Sequence, residues 1–303
     1  MRRTLQKEPK QLLVAFLILF VIAGVADAVV PNLPQKMKPE EVVARHLVAI
    51  GKPEDLAAAK TRIMTGHDIA RLKLSGTIRE VTGPAQFASD GDKVLLAMVF
   101  NSTNYPYERV AYDGQKLTVA GLPTGGRSPL TNFLVSQEII FKQGLIGGVL
   151  SSAWPLANVD PEKAKLSYAG TDKINGRAVH ELKYVPKKGD LKVSLYFDAE
   201  TFQHVRSEYQ YTVSARMGAR PSSSVTGPAT NTGSQTMSRY KLTEDFSDFQ
   251  TTGKLTLPRV YKIQLVVEAQ AQTLDYTIEF SQIVFDQPIE PDAFNASASS
   301  KPD

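Results

Sequence analysis

The 303-residue chain has no cysteine, one tryptophan and four histidines. The missing cysteine excludes disulfides, cysteine-held zinc, iron–sulfur clusters, a cysteine nucleophile and a lipid-modified amino-terminal cysteine. His46, His67, His180 and His204 fit neither the His-x-x-x-His nor the His-Glu-x-x-His spacing that sets two imidazoles on one helix face. His180 and His204 flank one strand region and are the pair that could meet across strands. There is no Gly-x-Ser-x-Gly elbow, no Gly-x-x-x-x-Gly-Lys phosphate loop and no Gly-x-Gly-x-x-Gly turn. Ser238 and Lys241 match Ser-x-x-Lys but open a predicted strand, not a helix. Charge of one sign is also missing. Basic residues number 35 and acidic residues 31, interspersed, for a net +4, which gives no footprint for nucleic acid. Neither a fixed-period repeat nor a long apolar run is present beyond Leu12–Ala26, 15 residues, short of the ~20 a spanning helix needs. No metal and no cofactor are expected.

That one run has a context. Arg2, Arg3, Lys7 and Lys10 precede it, and Ala26-Asp27-Ala28 follows with small residues where a signal peptidase reads. Basic, apolar, small is the order of a secretory signal peptide, predicted over 1–28. The alternative is an uncleaved membrane anchor. After cleavage at Val29 no stretch is apolar enough to cross a bilayer, so a periplasmic protein, or one secreted further, is expected.

The spacing predicts a helix over Pro39–Ile50, with Pro39 in the first turn, Glu40 and Glu41 at the positive end, and Gly51 as terminator. Val42, Val43, Leu47 and Ile50 form its apolar stripe. A second short helix runs from Pro53 to about Lys60. The period then changes to two. Strands are predicted at Ile69–Ile78, Lys93–Phe100, Arg109–Tyr112, Lys116–Ala120, Lys165–Tyr168, Val179–Val185, Leu191–Phe197, Val205–Tyr211, Tyr261–Glu268 and Leu274–Ser281. Lys93–Phe100 is apolar on both sides, so both should be covered. Asp113-Gly114 marks a tight hairpin, and Asp90-Gly91-Asp92 a turn. Asp245 and Asp248 read as loop carboxylates, and Lys187-Lys188 as a hairpin tip.

Two segments interrupt the strands. Ser128–Trp154 reads as a broken apolar helix capped by Ser128 and Pro129, interrupted at Gly144 and Gly147-Gly148. Those glycines either hinge the segment or permit close packing. Arg216–Gln235 is a flexible insertion, and 296–303 a disordered tail.

The fold class is therefore mainly antiparallel β with helices (α+β), in one domain over 29–295. A long antiparallel sheet twists and curls. The expected architecture is a curled sheet forming an incomplete β-barrel covered by helices. Its concave side either holds an apolar cavity or is filled by the protein's own side chains. The residues expected to line the cavity are Leu96, Met98, Phe133, Leu134, Ile140, Leu145, Ile146 and Trp154.

Several local phrases are Tyr112-Asp113-Gly114, Phe197-Asp198-Ala199-Glu200-Thr201, Asp245-Phe246-Ser247-Asp248-Phe249 with Leu255-Thr256-Leu257-Pro258, and Val284-Phe285-Asp286-Gln287-Pro288-Ile289 before Asp292-Ala293-Phe294. Together with the signal and the opening Glu-Glu-Val-Val-Ala-Arg-His-Leu helix, these resemble the periplasmic lipoprotein-carrier family, LolA/LolB-like, and its outer-membrane lipoprotein-sorting relatives. The resemblance implies an unclosed barrel with helices over its opening that holds acyl chains non-covalently. Lack of cysteine places the chain with the soluble carriers. The expected function is a non-catalytic, monomeric carrier of lipid or lipoprotein acyl chains. A cell-envelope scaffold with a solid core that meets a protein partner is the second reading, and a hydrolase with a dispersed site the third.

Overall fold

A computed structural model describes residues 37–297, except 75, 158, 160, 161 and 216–235. The expected signal peptide, the 216–235 insertion and residues 298–303 of the tail expected over 296–303 lie outside the described residues, while Ala296, at the start of that tail, is buried.

Helix α1 is Pro39–Ile50 and α2 is Pro53–Ala58. Each has proline in its first turn, where a missing N–H costs nothing, followed by two acidic residues. Val42, His46 and Ile50, four apart, are the buried face of α1, with Val43 and Leu47 half-buried beside them. His46 thus belongs to the stripe that the aliphatic residues announced.

Twelve strands follow. They are β1 (Thr61–Leu74), β2 (Thr77–Asp90), β3 (Lys93–Val99), β4 (Tyr107–Tyr112), β5 (Leu117–Val119), β6 (Ala164–Ile174), β7 (Arg177–Pro186), β8 (Lys192–Asp198), β9 (His204–Ala215), β10 (Thr236–Thr252), β11 (Leu255–Val267) and β12 (Gln272–Phe285). They make one antiparallel sheet in the order β5-β4-β3-β2-β1-β12-β11-β10-β9-β8-β7-β6. Among the described residues β5 and β6 do not pair, so the sheet is open. Chain neighbours are sheet neighbours everywhere except between β5 and β6, and one pairing joins strands that are not chain neighbours. The first strand pairs with the last, from Arg62 opposite Phe285 to Lys73 opposite Thr273 with one register shift between Thr65 and Gly66, and the chain leaves the sheet between β5 and β6.

That excursion holds α3 (Pro129–Ser136), α4 (Ile139–Lys142) and 3-10 turns at Gly148–Leu150 and Pro155–Ala157. The Ser128 hydroxyl accepts the Thr131 N–H at 3.0 Å and so caps α3 as its sequence predicts.

Two sequence expectations are corrected. The strand expected over Ile69–Ile78 is a hairpin: Gly76 turns the chain at φ +83° and divides β1 from β2. Asp245 and Asp248, expected in a loop, lie within β10. Asp245 is on the sheet's outer side in a two-pronged ion pair with Arg206 on β9, at 2.6 and 3.0 Å. Asp248 takes φ +53° and the pair it would make with Arg259 is missing from the β10–β11 ladder, but the register is the same on both sides, so the strand runs on through it.

The expectation for β3 holds for five of its residues. Val94, Leu96 and Met98 enter the main core, while Leu95 and Ala97 lie in a second cluster with Ala88, Ala111, Phe294 and Ala296. The cover on that second face is a 3-10 turn, Pro291–Phe294. It is fixed by the Arg109 guanidinium on Ala293 O at 3.3 Å and by the Ala296 N–H on Thr118 Oγ1 at 2.9 Å. Val99, at the end of β3, escapes the cover and is 52% exposed. Phe294 is the one large side chain of this cluster's cover, so Phe294→Ala is expected to cost about 3–5 kcal/mol, the range for emptying a buried aromatic site. Urea unfolding measures this, and a loss under 1 kcal/mol would mean that the turn is not part of the cooperative core.

Candidate functional site

The inner face of the sheet is apolar by simple alternation. Leu242 and Phe246 on β10, Tyr261, Ile263 and Leu265 on β11, and Leu274, Tyr276 and Ile278 on β12 are all buried. Residues 145–157 of the excursion lie on this face. Gly147 and Gly148 show how closely. A Cβ on Gly147 would fall 2.3 Å from the Phe87 ring on β2, and one on Gly148 would fall 2.6 Å from the His204 ring on β9. Both also take left-handed φ, +72° and +48°. In sheet order β2 and β9 are five strand spacings apart, about 24 Å in a flat sheet. Two consecutive residues touch both, so the sheet bends around them.

An irregular segment on an apolar face must find partners for its backbone. Arg62 on β1 sends Nη1 to Val149 O at 2.7 Å and Ser151 O at 3.2 Å. The Ser152 N–H reaches Ser89 Oγ at 2.9 Å. Glu244 on β10 accepts the Gly147 N–H at 2.8 Å and the Tyr261 hydroxyl. Tyr209 on β9 lies 3.0 Å from Leu145 O and 2.7 Å from the second Glu244 oxygen. One phenolic proton cannot serve two acceptors. If Tyr209 donates to the carbonyl, the carboxyl must supply the other proton, and a protonated Glu244 satisfies the whole set. Burial acts in the same direction and pushes its pKa up to about 7.

Two further ties anchor helices. Trp154 Nε1–H donates to His46 Nε2 at 3.0 Å, and His46 Nδ1 lies 3.0 Å from Phe202 O. An indole only donates and a carbonyl only accepts, so the His46 proton is on Nδ1. Burial holds this imidazole neutral, with a pKa of about 4. Glu108 on β4 takes the Thr131 hydroxyl of α3 at 2.6 Å and the Tyr105 hydroxyl, which is 2.6 Å from that of Tyr276.

At one margin of this packing lies a groove of about 450 Å³, within the range of small-molecule sites. Leu47 and Ile50 of α1, Pro53, Leu56 and Ala57 of α2, and Val149, Trp154 and Ala157 of the excursion give it apolar walls. Lys60, Arg62 and Asp90 supply the charges.

All eight expected lining residues are buried and belong to one core cluster. Leu96 and Met98 come from β3, Phe133 and Leu134 from α3, Ile140 from α4, and Leu145, Ile146 and Trp154 from the irregular part. Trp154 also lines the groove, while the other seven pack in the core. Sequence reasoning missed Arg62, Glu108 and Glu244. His180 and His204 do not come together. His180 is within 3.1 Å of the Tyr168 hydroxyl, whereas His204 packs against His46, Trp154 and Phe246.

Ser207 Oγ is 3.1 Å from His204 Nε2, the spacing of a nucleophile and its base. The same nitrogen faces Arg206 O at 3.0 Å, so it carries the proton and cannot take one from Ser207. Both side chains are fully buried. Among the described residues no group of histidines and carboxylates could hold a metal, and no helix is long and apolar enough to cross a membrane.

The Glu244 carboxyl sets a pH dependence. Its folded-state pKa is raised above the ordinary value of 4.5, so its contribution is complete below about pH 4.5 and is lost as pH climbs through about 7. Glu244→Gln presents the same hydrogen-bonding edge without ionising. Urea unfolding between pH 5 and pH 8 is expected to show wild-type stability falling relative to this variant. Parallel curves would mean that Glu244 is ionised throughout.

No protein-family model and no curated protein matches the chain. Among the solved structures that align with most of it are these three. An outer membrane lipoprotein-sorting protein domain from Vibrio parahaemolyticus is 14% identical, with 85% of this chain and 96% of that one covered and a TM-score of 0.42. A LolA superfamily protein from Nitrosomonas europaea is 13% identical, with 83% and 96% covered and a TM-score of 0.43. A DUF1329 family protein from Desulfovibrio piger is 9% identical, with 86% and 99% covered and a TM-score of 0.40.

Proposed function

We propose that this protein is a non-catalytic periplasmic carrier that holds a lipid or lipoprotein acyl chain. In this reading the bent sheet is an incomplete β-barrel, and α1, α2 and the 129–157 excursion are its cover. The observation that carries it is the groove: an apolar trough of about 450 Å³ bounded by both parts of the cover and continuous with the core through Trp154 and Val149.

The energetics suit reversible binding. Each methylene taken from water is worth about 0.8 kcal/mol, so the apolar walls supply affinity without a special contact. Release needs the cover to loosen. Its irregular part is held to the sheet by a few hydrogen bonds, each worth about 0.5–1.5 kcal/mol net, and by its own apolar side chains. A longer chain entering from the groove would displace Leu145, Ile146 and Trp154 and meet Leu96 and Met98 beneath. Phe133, Leu134 and Ile140 would form the far wall. The cover side chains and the ligand compete for the same sheet face, and that competition is the release mechanism.

Organic extraction and native mass spectrometry of protein purified from its own host are expected to yield a co-purifying acyl lipid. Ala57→Trp, which fills the groove, is expected to reduce uptake of a fluorescent fatty acid at least tenfold. Lipid-free protein that also takes up no fatty acid would favour the solid-core scaffold instead.

A further inference from the structure

The groove's floor carries a charge that an apolar trough does not need. Arg62 is only 5% exposed and lines the groove. Buried cations are ordinarily paired with a carboxylate, because desolvating them alone is costly. Among the described residues Arg62 has no ion pair. Asp286 acts on it only through space, and its own oxygen accepts the Lys60 N–H instead. The carboxylate that lines the groove, Asp90, is held by Lys93 at 3.0 Å. Lys60 is at the rim, so the excess charge there is positive.

The orientation of the guanidinium adds a second point. Both carbonyl contacts, to Val149 O and Ser151 O, use Nη1. Nε is buried and without a partner. The edge that includes Nε is the one on which a guanidinium takes a carboxylate side-on through two parallel hydrogen bonds.

Building on the carrier reading, we propose that the groove selects a free fatty acid, its carboxylate seated on the Nε edge of Arg62 and its chain along Leu47, Ile50, Leu56 and Val149. A monoanion matches the one buried guanidinium. The Nη1 contacts hold the guanidinium to the cover, and because Nε is closed off from solvent the head is received there by a small shift of the side chains around it. Ligands whose polar end is uncharged gain only the apolar walls.

The test is calorimetric titration of the full chain with dodecanoate, dodecanol and dodecylamine at pH 8, each below its aggregation limit. Dodecanoate is expected to bind at least about tenfold tighter than dodecanol, the margin of one charge-assisted pair, and dodecylamine weakest. Arg62→Gln is expected to erase the difference between acid and alcohol, and Arg62→Lys to keep part of it. The ligand series on the unaltered protein stands even if a variant unfolds. Ala57→Trp should abolish all binding if this groove is the site. Equal binding of acid and alcohol would overturn the selectivity and leave the carrier reading in place. Binding of none of the three would overturn both.

Discussion

An apolar sheet face has to be covered, and in this topology the chain has one main means of covering it. Because β1 pairs with β12, the two arms of the sheet end at β5 and β6. The segment joining those edges passes over the inner face, and its Leu145, Ile146, Val149 and Leu150 fill the bend. The first and last strands meet in the middle of the sheet, and this pairing puts the cover over the core.

Covering a face with irregular chain has a cost that a helix avoids. Carbonyls and N–H groups of residues 145–152 enter an apolar environment and need partners there. The sheet provides them with side chains pointing inward among the aliphatics: Arg62, Ser89, Tyr209 and Glu244. These four each answer a specific backbone group of the cover, so it sits in one register. Apolar burial supplies the larger part of its attachment and the polar ties decide where it sits. The groove opens beside these ties, between α1, α2 and the excursion, with Arg62, Val149, Ser151 and Ser152 in its lining.

Much of this was legible in the sequence. Proline followed by glutamates marks α1, Ser128-Pro129 marks α3, and Asp113-Gly114 marks a hairpin, because each is local chemistry with a local cause. The sheet's outer face was harder to read. Asp245 and Asp248 look like loop residues until Arg206 on the neighbouring strand is known to lie opposite. The buried polar residues were visible in principle. Glu244 falls between Leu242 and Phe246 at a period of two, Glu108 is in phase with Val110 and Tyr112, and Arg62 with Met64. Period alone puts them inside. What it lacks is the partner: Gly147 is 97 residues from Glu244 and Val149 is 87 from Arg62, and only the fold brings them together. The groove is a gap between elements and has no sequence signature of its own.

The pairing of β1 with β12 also bears on how the molecule assembles. Strands β1–β5 and β6–β12 are each simple meanders whose neighbours lie close along the chain. The seam between them joins Met64 to Ile283, and closing so long a loop is entropically slow. Synthesis delivers β1 before the other eleven described strands and β12 after all the rest. Until the last strand emerges, β1 has a free edge and the arms cannot unite. In a sheet built this way the two arms unite only once its last strand has been made.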